Sequence, residues 1–363
     1  MCGIVGYVGY DEAAGKIIEG LKKLEYRGYD SSGIAILSDK GIELNKCKGE
    51  IKNLENMIAG RIPSGTCGIG HTRWATHGAP SDVNSHPHMD QSGRVALVHN
   101  GIVENYVELK EALINEHGIK FKSETDSEVI AQLVGVKYNA NGGDLEKAVY
   151  DAIKEMRGTY AIGVIAEDTP DKIVAYRKEA PLIAGLGKKS NFIASDIPAL
   201  LKYTNDIFLI ENDEMVICTP DSITIKDKDG KEVKREAMKI TWSVEDAEKG
   251  GYEHFMLKEI NEQPKVVAET LNRRIDEDGK IKLDGINLTK EELDNYNKIY
   301  IVACGTAYHA GLAGKHIIEK KTRVKVDVDI ASEFRYRNPV IDDKTLVIVL
   351  SQSGETLDTL EAM

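Results

Sequence analysis

Residues 2–8 have the sequence CGIVGYV, an apolar run interrupted only by glycine. Such a run predicts a buried β-strand. Apolar residues at helical spacing follow over 12–26, and Gly28 is suited to end that helix. The remaining predicted strands come in neighbouring groups, without regular alternation with helices, which predicts an α+β fold with antiparallel sheets. Strands are predicted at 34–37, 68–71, 95–99, 159–166, 173–176, 192–194 and 206–210, and helices at 107–117, 126–138 and 145–157.

The pattern changes after about Lys239. Residues 245–275 are charged and helix-prone, with a break expected near Pro264. Strands are then predicted at 298–303, 324–329 and 345–350, with a helix at 307–320; their continuous β-branched runs predict a parallel sheet covered on both faces. We therefore predict a first domain at 1–240, a helical linker at 241–296 and an α/β domain at 297–363, which we expect to be incomplete.

Composition excludes several classes of protein. The 363 residues carry 59 acidic and 47 basic side chains, a net charge of −12, and no basic cluster stands out. A nucleic-acid or anionic-membrane partner is therefore not expected. Five scattered cysteines without C-x-x-C spacing form neither a zinc site nor a disulfide framework, which favours a cytoplasmic location. We expect no signal peptide, because the first residues lack a basic flank followed by a long apolar core, and we find no apolar run long enough to span a bilayer.

Cys2 is the first candidate nucleophile. Removal of Met1, which is common before a small residue, would give Cys2 a free α-amino group beside its thiol. An ordinary α-amine has a pKa of about 7.7–8.0 and a thiol about 8.5, so the amine could take the thiol proton near neutral pH. The alternative is that Cys2 is only a small buried residue at the start of a strand.

Several polar motifs follow in the same part of the chain. Together they resemble the class II glutamine amidotransferases, in that family's order over the first 240 residues. The resemblance implies an N-terminal nucleophile (Ntn) hydrolase fold, an αββα sandwich with antiparallel sheets. The motifs are CGIVGYVG at 2–9, EYRGYDSSG at 25–33, HTRWATHG at 71–78, HPH at 86–88, HNG at 99–101 and SETD at 123–126.

The resemblance assigns roles to four of these residues. Asn100, through its side-chain amide, and Gly101, through its backbone N–H, would stabilise the oxyanion formed during amide hydrolysis. Arg73 would bind the α-carboxylate of glutamine, and Asp126 its α-ammonium group. Structural alternatives remain for each. Asn-Gly is a common β-turn, Arg73 could form a surface salt bridge, and Asp126 could cap a helix, as Thr125 also could.

By the same resemblance, Thr76 and His77 line the glutamine pocket, and His86 connects that pocket with a sugar site. Trp74 is predicted to be a lid over the pocket, with a core aromatic residue as the alternative. Arg27 and Asp30 belong to the framework of the domain or to its interface. No metal is predicted, because the histidines of this region lack H-E-x-x-H spacing and have no cysteine pair nearby. These histidines are His71, His77, His86, His88 and His99.

Two segments of the second domain place Ser and Thr between a strand and a helix, as a phosphate-binding loop does. They are 301–306 and 349–356; the second could instead be a turn and capping box. Neither is a nucleotide P-loop. With HFMLKEINEQP at 254–264 and ASEFRYR at 331–337, these segments resemble a sugar-isomerase (SIS) domain. The resemblance assigns binding of a sugar phosphate to Thr306, Ser351, Gln352, Ser353 and Thr356.

An amidotransferase joined to SIS domains implies transfer of ammonia from L-glutamine to fructose 6-phosphate, giving glucosamine 6-phosphate and glutamate, the first step of hexosamine synthesis. It also implies a homodimer through the SIS region, passage of ammonia inside the protein and no cofactor. We expect this chain to hydrolyse glutamine and to carry part of the sugar-phosphate site. The alternatives are an amidotransferase with a phosphoribosyl acceptor and a sugar-phosphate sensor whose glutaminase is inactive.

Overall fold

The computed structural model describes residues 2–74, 78–241, 252–272, 274–275, 278–281, 286, 288–352, 354 and 356–363. It divides into two compact units, residues 1–248 and 249–363. The helices described within the predicted linker belong to the second unit. Within the described residues, no helix is both long and apolar enough to cross a membrane.

The first unit contains most of the secondary structure. In chain order its strands and helices are β1 (Gly3–Gly9), α1 (Ala13–Leu24), β2 (Ser31–Ser38), β3 (Gly41–Lys48), α2 (Ile51–Ile58), β4 (Cys67–Arg73), β5 (His88–Met89), β6 (Val95–Val103), α3 (Tyr106–His117), α4 (Asp126–Ala140), α5 (Leu145–Ile153), β7 (Gly158–Ala166), β8 (Ile173–Lys178), β9 (Ile183–Leu186), β10 (Ser190–Ala194), β11 (Asp206–Leu209), β12 (Glu214–Cys218), β13 (Ile223–Lys226) and β14 (Met238–Lys239).

These strands form two antiparallel sheets. Within the described residues, the first sheet has the order β14-β11-β9-β10-β1-β4-β2-β3, and the second has the order β13-β12-β8-β7-β6-β5. β1 lies at the centre of the first sheet, between β10 and β4. β6 lies near one edge of the second sheet, because its outer neighbour β5 is only two residues long.

Three apolar layers hold the two sheets together. Small and branched side chains of both sheets, such as Ile4, Ile69 and Val98, pack between them. α1 and α2 cover the outer face of the first sheet, and α3, α4 and α5 cover the outer face of the second. The result is the predicted αββα sandwich with antiparallel sheets, and the first strand of the chain is buried on both faces.

The second unit contains a parallel sheet, as predicted. Its elements are α6 (Phe255–Asn272), α7 (Lys290–Asn295), β15 (Lys298–Ala303), α8 (Gly305–Thr322), β16 (Lys325–Ile330), α9 (Ala331–Tyr336), β17 (Thr345–Leu350) and α10 (Leu357–Glu361). β15 lies between β16 and β17 and pairs with both in parallel. Apolar residues of α8 pack near one face of the sheet, and those of α9 pack on the other.

Two local predictions are wrong. The helix containing Pro264 does not break there: α6 runs through it, because a proline removes one backbone donor but leaves the other hydrogen bonds of a long helix in place. The strand predicted at 95–99 does not end at His99 either. β6 continues to Val103, because Asn100 and Gly101 pair with Ala161 and Tyr160 of the long neighbouring strand β7.

Candidate active site

Cys2 lies immediately before β1. Two side chains hold it in place by donating hydrogen bonds to its backbone carbonyl. The Arg27 side chain donates from Nε to that carbonyl at 3.1 Å, and the Asn100 side chain donates from Nδ2 at 3.2 Å. The Cys2 thiol contacts the backbone of Trp74, which donates its N–H to Sγ at 3.3 Å and offers its carbonyl at 3.5 Å. Three separate stretches of the chain therefore converge on the first residue of the predicted nucleophile motif.

The surroundings of Cys2 favour the neutral form of its thiol. Burial raises its pKa above the ordinary value, although the N–H of Trp74, the amino terminus, Arg73 and Arg27 act in the opposite direction. In the described part of the chain, the hydrogen-bond partners of Sγ are both backbone groups of Trp74. No described side chain is placed to act as its base, so a proton acceptor must come from another group.

The side-chain amide of Asn100 is fixed at both ends. Its Oδ1 accepts from Nε2 of His71 at 2.9 Å. Its Nδ2 donates to Oγ of Ser195 at 2.8 Å and, more weakly, to the Cys2 carbonyl. Ser195 in turn accepts from the backbone N–H of Ile4 at 2.8 Å. The predicted oxyanion donor thus lies directly beside the predicted nucleophile, in an orientation set by its neighbours.

Gly101 adopts a backbone conformation that excludes a side chain. Its φ is +124°, and a Cβ atom there would lie 2.0 Å from the carbonyl oxygen of Thr159. Both conditions favour glycine, because other residues rarely adopt this φ and cannot occupy this space. The glycine therefore lets β6 pass close to β7 directly after Asn100.

Arg73 and Asp126 lie in the same neighbourhood. Both are buried, and the negative charge of Asp126 acts on the Arg73 guanidinium, as that of Asp30 does. Arg73 donates to the carbonyl of Gly78 at 3.1 Å, so it is not a surface salt bridge. Asp126 is not the helix cap: Thr125 takes that position and accepts from the N–H of Glu128.

The Asp126 carboxylate instead faces the end of β6. Its Oδ2 accepts from the N–H of Val103 at 3.0 Å, and the hydroxyl of Ser127 donates to Oδ1 at 3.4 Å. A carboxylate can accept about four hydrogen bonds, so these two donors leave Asp126 able to bind an ammonium group as well. The geometry therefore suits the role that the sequence predicts.

Four histidines form a buried cluster behind Asn100. His71 stacks on His86 with 4.1 Å between ring centroids, and His88 meets His86 edge to face at 4.8 Å. His99 completes the cluster: its backbone N–H donates to Nδ1 of His86 at 3.3 Å, and its carbonyl accepts from Nε2 of His71 at 3.0 Å. Burial lowers the pKa of all four, to about 3 for His71, so the cluster is neutral.

The cluster is not arranged around an ion. Among the described residues, no three His, Cys, Asp or Glu side chains could jointly hold a metal. The rings instead bond to hydroxyls and backbone, as His99 does to Ser127 at 2.8 Å and His88 to Thr125 at 3.1 Å. His86 is buried within this stack. It packs on His71, which in turn bonds to Asn100.

The motif at residues 25–33 forms a wall of the site. A Cβ atom on Gly28 would lie 2.6 Å from the backbone nitrogen of Trp74, so only glycine permits this approach. The backbone N–H of Asp30 donates to the Arg73 carbonyl at 2.9 Å. Arg27, besides its contact with Cys2, pairs with Asp196 at 3.1 Å. The motif is therefore part of the framework of the first unit.

Trp74 is not a core aromatic residue. Its side chain is 44% exposed, and its ring packs edge to face on Tyr29 at 5.6 Å. Its backbone contacts the Cys2 thiol, and its role as a lid stays a prediction. The predicted pocket residues Thr76 and His77 fall outside the described residues.

In the second unit, the predicted phosphate-binding residues lie at one edge of the parallel sheet. Ala303 ends β15 opposite Leu350, the end of β17, so the loops that follow these strands start side by side. Thr306 is exposed in the first turn of α8. In the other loop, Ser351 accepts from the N–H of Gly354 at 3.0 Å and donates to Thr356 at 3.4 Å.

Gln352 is exposed in that second loop, and Ser353 falls outside the described residues. The structure therefore brings Thr306 to the same edge as Ser351, Gln352 and Thr356. Ligand binding by these residues stays a prediction.

Sequence reasoning missed three contributions to the site. The sequence identifies Arg27 only as a framework residue and His71 only as a possible metal ligand, and it gives no role to Ser195. Ser195 directly follows β10 and pairs its backbone N–H with the Ile4 carbonyl at 3.0 Å. A serine at the end of a buried strand is the one local signal that could have drawn attention to it.

Comparison with known proteins agrees with this architecture. Residues 71–202 match a family model described as "Glutamine amidotransferase domain", and residues 292–363 match "SIS domain". The glutamine phosphoribosylpyrophosphate amidotransferase of B. subtilis shares the fold, with a TM-score of 0.56 at 18% identity, over 94% of this chain and 69% of that one. The fold and the site thus define an Ntn-type glutamine amidotransferase domain, followed by a SIS domain.

More similar proteins identify the family. The chain is 58% identical to the glutamine–fructose-6-phosphate aminotransferases [isomerizing] of Clostridium tetani and of Clostridium perfringens. Each match includes all of this chain and 59% of the relative. The chain therefore belongs to the glutamine–fructose-6-phosphate aminotransferase family and spans somewhat more than half the length of these relatives.

Proposed function

We propose that the first unit hydrolyses L-glutamine, with Cys2 as the nucleophile once Met1 has been removed. The observation that carries this proposal is the convergence of Arg27, Asn100 and Trp74 on Cys2. The Cys2 thiol is half-buried and its pKa is raised, and the described side chains offer its sulfur no base. A free α-amino group on Cys2 would supply that base within the same residue.

The chemistry would proceed in two steps. The thiol proton passes to the α-amine while sulfur attacks the side-chain carbonyl carbon of glutamine, and the carbonyl oxygen becomes an oxyanion. Asn100 would donate to this oxygen in place of its 3.2 Å bond to the Cys2 carbonyl, the longer of its two donor contacts. The C–N bond then breaks, and the amine returns its proton to the departing ammonia. Water finally cleaves the thioester, which gives glutamate and free Cys2.

Two buried charges would select glutamine among amides. The Arg73 guanidinium can bind an α-carboxylate with two parallel hydrogen bonds, and Asp126 can pair with the α-ammonium group. Both lie close enough to influence each other electrostatically. We infer roles in the same pocket for Trp74, Thr76, His77 and His86 from the family motifs.

For the whole protein we propose transfer of the ammonia to fructose 6-phosphate, because the full-length relatives are named for that reaction. Thr306, Ser351, Gln352, Ser353 and Thr356 would bind the sugar phosphate, and dimerisation would occur through the SIS region. A phosphoribosyl acceptor is less well supported, since the matching solved structure of that kind is only 18% identical. All five cysteines are free thiols, which fits a cytoplasmic location.

The test is glutamine hydrolysis by the 363-residue chain, measured as ammonia and glutamate released. Mass spectrometry must first show that Met1 is absent. We expect processed protein to be active, and Cys2→Ser or Asn100→Ala to lose about 100-fold or more in kcat. A matched preparation in which an added N-terminal residue blocks the amine of Cys2 should be inactive. Hydrolysis by that blocked protein would refute the assigned base, and an inert processed protein would instead favour a sugar-phosphate sensor.

A further inference from the structure

The side chains on either side of Ile4 come from strands far apart in the chain. Ile4 lies opposite His71 in the β1–β4 ladder. On the other side, Ser195 bonds to Ile4 through both its backbone N–H and its hydroxyl. Residues directly opposite each other in a sheet present their side chains on the same face. His71 and Ser195 therefore flank Ile4 on the face that packs against the second sheet.

Asn100 comes from that second sheet and spans these two side chains. Its Oδ1 lies 2.9 Å from Nε2 of His71, and its Nδ2 lies 2.8 Å from Oγ of Ser195. An amide that rotated by 180° would place its N–H₂ against His71 Nε2 and its oxygen against Ser195 and the Cys2 carbonyl. The oxygen would then meet another acceptor at Cys2, so only one orientation satisfies all three neighbours.

The histidine stack fixes which nitrogen of His71 carries the proton. Nε2 faces two acceptors, the carbonyl of His99 and Oδ1 of Asn100, so Nε2 is the donor. Nδ1 is buried and, in the described part of the chain, has no hydrogen-bond partner, so it carries the lone pair. The stacked ring of His86 accepts the His99 N–H at Nδ1. The backbone of His99, the residue before Asn100, is thus held between the neutral imidazoles of His71 and His86.

We propose that His71 and Ser195 are positioning residues that orient the Asn100 amide with its N–H groups toward Cys2. Neither touches the substrate. They act by fixing which end of the amide faces the nucleophile, so that a hydrogen-bond donor is in place before the oxyanion forms. Preorganised donors of this kind need no reorientation during the reaction, which is why they are effective. This inference rests on the proposed glutamine hydrolysis.

The experiment compares two reactions of Cys2 in the processed 363-residue chain. Glutamine hydrolysis passes through an oxyanion, whereas alkylation of the thiol by iodoacetamide does not. For His71→Leu we expect kcat for hydrolysis to fall about 100-fold, with KM and the alkylation rate within about threefold of wild type. For Ser195→Ala we expect about a tenfold fall in kcat. His71→Gln offers an N–H at a similar reach and should recover at least tenfold of the loss relative to His71→Leu.

Thr72→Val is the matched control. Thr72 neighbours His71 on β4, and its buried Oγ1 has no hydrogen-bond partner among the described residues, so the substitution removes no contact of Asn100. It should hydrolyse glutamine at the wild-type rate. If Thr72→Val lost as much as His71→Leu, disturbance of β4 would explain both, and the inference would be wrong.

Two other results would overturn it. The first is a kcat of His71→Leu for glutamine hydrolysis within about threefold of the wild-type value. The second is an equal loss of hydrolysis and of alkylation in His71→Leu, which would indicate a merely structural role. If His71→Leu does not fold, Ser195→Ala and His71→Gln decide by the same criteria. A processed wild-type protein without glutaminase activity would refute the proposed function itself, and the inference would fall with it.

Discussion

Arg27 and Asn100 donate to the same acceptor, the backbone carbonyl of Cys2, at 3.1 and 3.2 Å. One donor comes from the turn after α1 and the other from β6 in the opposite sheet. A carbonyl oxygen has two lone pairs, and here both have a directed donor. Arg27 is the charged donor and the shorter contact, so we expect Arg27 to hold the Cys2 backbone when Asn100 turns to the oxyanion.

Arg27→Ala should therefore slow every reaction of the thiol. Loss of a hydrogen bond from a charged donor costs about 1.5–3 kcal/mol, so we expect at least a tenfold fall both in glutamine hydrolysis and in alkylation by iodoacetamide. Asp196→Asn is the matched control, since its side-chain oxygen can still accept from the Arg27 guanidinium; it should stay close to wild type. Alkylation of Arg27→Ala at the wild-type rate would show that the carbonyl contact does not position Cys2.

Arg73→Lys tests recognition of the α-carboxylate. Lysine keeps the positive charge but loses the planar pair of donors, so we expect KM for glutamine to rise about 10-fold to 100-fold while kcat changes less than about threefold. Steady-state kinetics separate the two constants. Arg61→Lys, at a highly exposed position, is the control and should change neither. A lower kcat at unchanged KM would assign Arg73 to the chemical step.

Gly101→Ala should destabilise the first unit more than an ordinary glycine substitution. The new Cβ would overlap the Thr159 carbonyl as well as strain the backbone, and we expect a loss of more than about 3 kcal/mol in the free energy of unfolding. Gly118→Ala provides the comparison, because Gly118 also has positive φ, +65°, but open space around it; about 1 kcal/mol is expected. Urea unfolding measures both, and equal losses would contradict the argument from close approach.

Acid should weaken the part of the fold that contains the histidine cluster. Each of the four rings has a pKa lowered by burial, while an unfolded histidine titrates near 6.5. The unfolded chain then binds more protons than the native one below about pH 6.5, so stability falls as pH falls toward the native pKa, about 3 for His71. The slope is up to about 1.4 kcal/mol per histidine per pH unit.

Hydrogen exchange of β6 amides at pH 7.0 and 5.5, corrected for intrinsic exchange rates, measures this effect locally. We expect a lower free energy of opening at pH 5.5. The second unit serves as the internal control, because the cluster lies in the first. Equal free energies of opening for β6 at both pH values would show that the rings are not neutral in the native state.

The sequence was informative where one segment determines its own structure. The strand at 298–303 is found at those residues. Asn100 contacts Cys2, Arg73 lies near enough to Cys2 to act on it electrostatically, and Asp126 acts in the same way on Arg73. β3 and α2 were not predicted. β3 is largely half-buried at the edge of its sheet, so its apolar pattern is weak, and α2 has only three buried residues.

Other features depend on contacts between distant parts of the chain. Asn-Gly has the local signal of a turn, and only pairing with β7 shows that it lies inside a strand. His71, Arg27 and Ser195 gain their contacts from strand register and sheet packing, which no short stretch of residues encodes. The sequence therefore predicts which residues gather at the site, whereas their mutual orientation requires the fold.

The brevity of β5 has a consequence for the whole centre. β5 pairs only with Leu97 and Ala96. It begins directly after Pro87, which has no N–H to offer to a longer ladder. In the same register, a ladder longer by two residue pairs would place His86 opposite His99. Main-chain groups would then compete with the two imidazoles that bond to the His99 backbone. Because the β5 ladder stops before His99, side chains and not a neighbouring strand bond to the His99 backbone. Lengthening β5 would therefore displace the imidazoles that border Asn100.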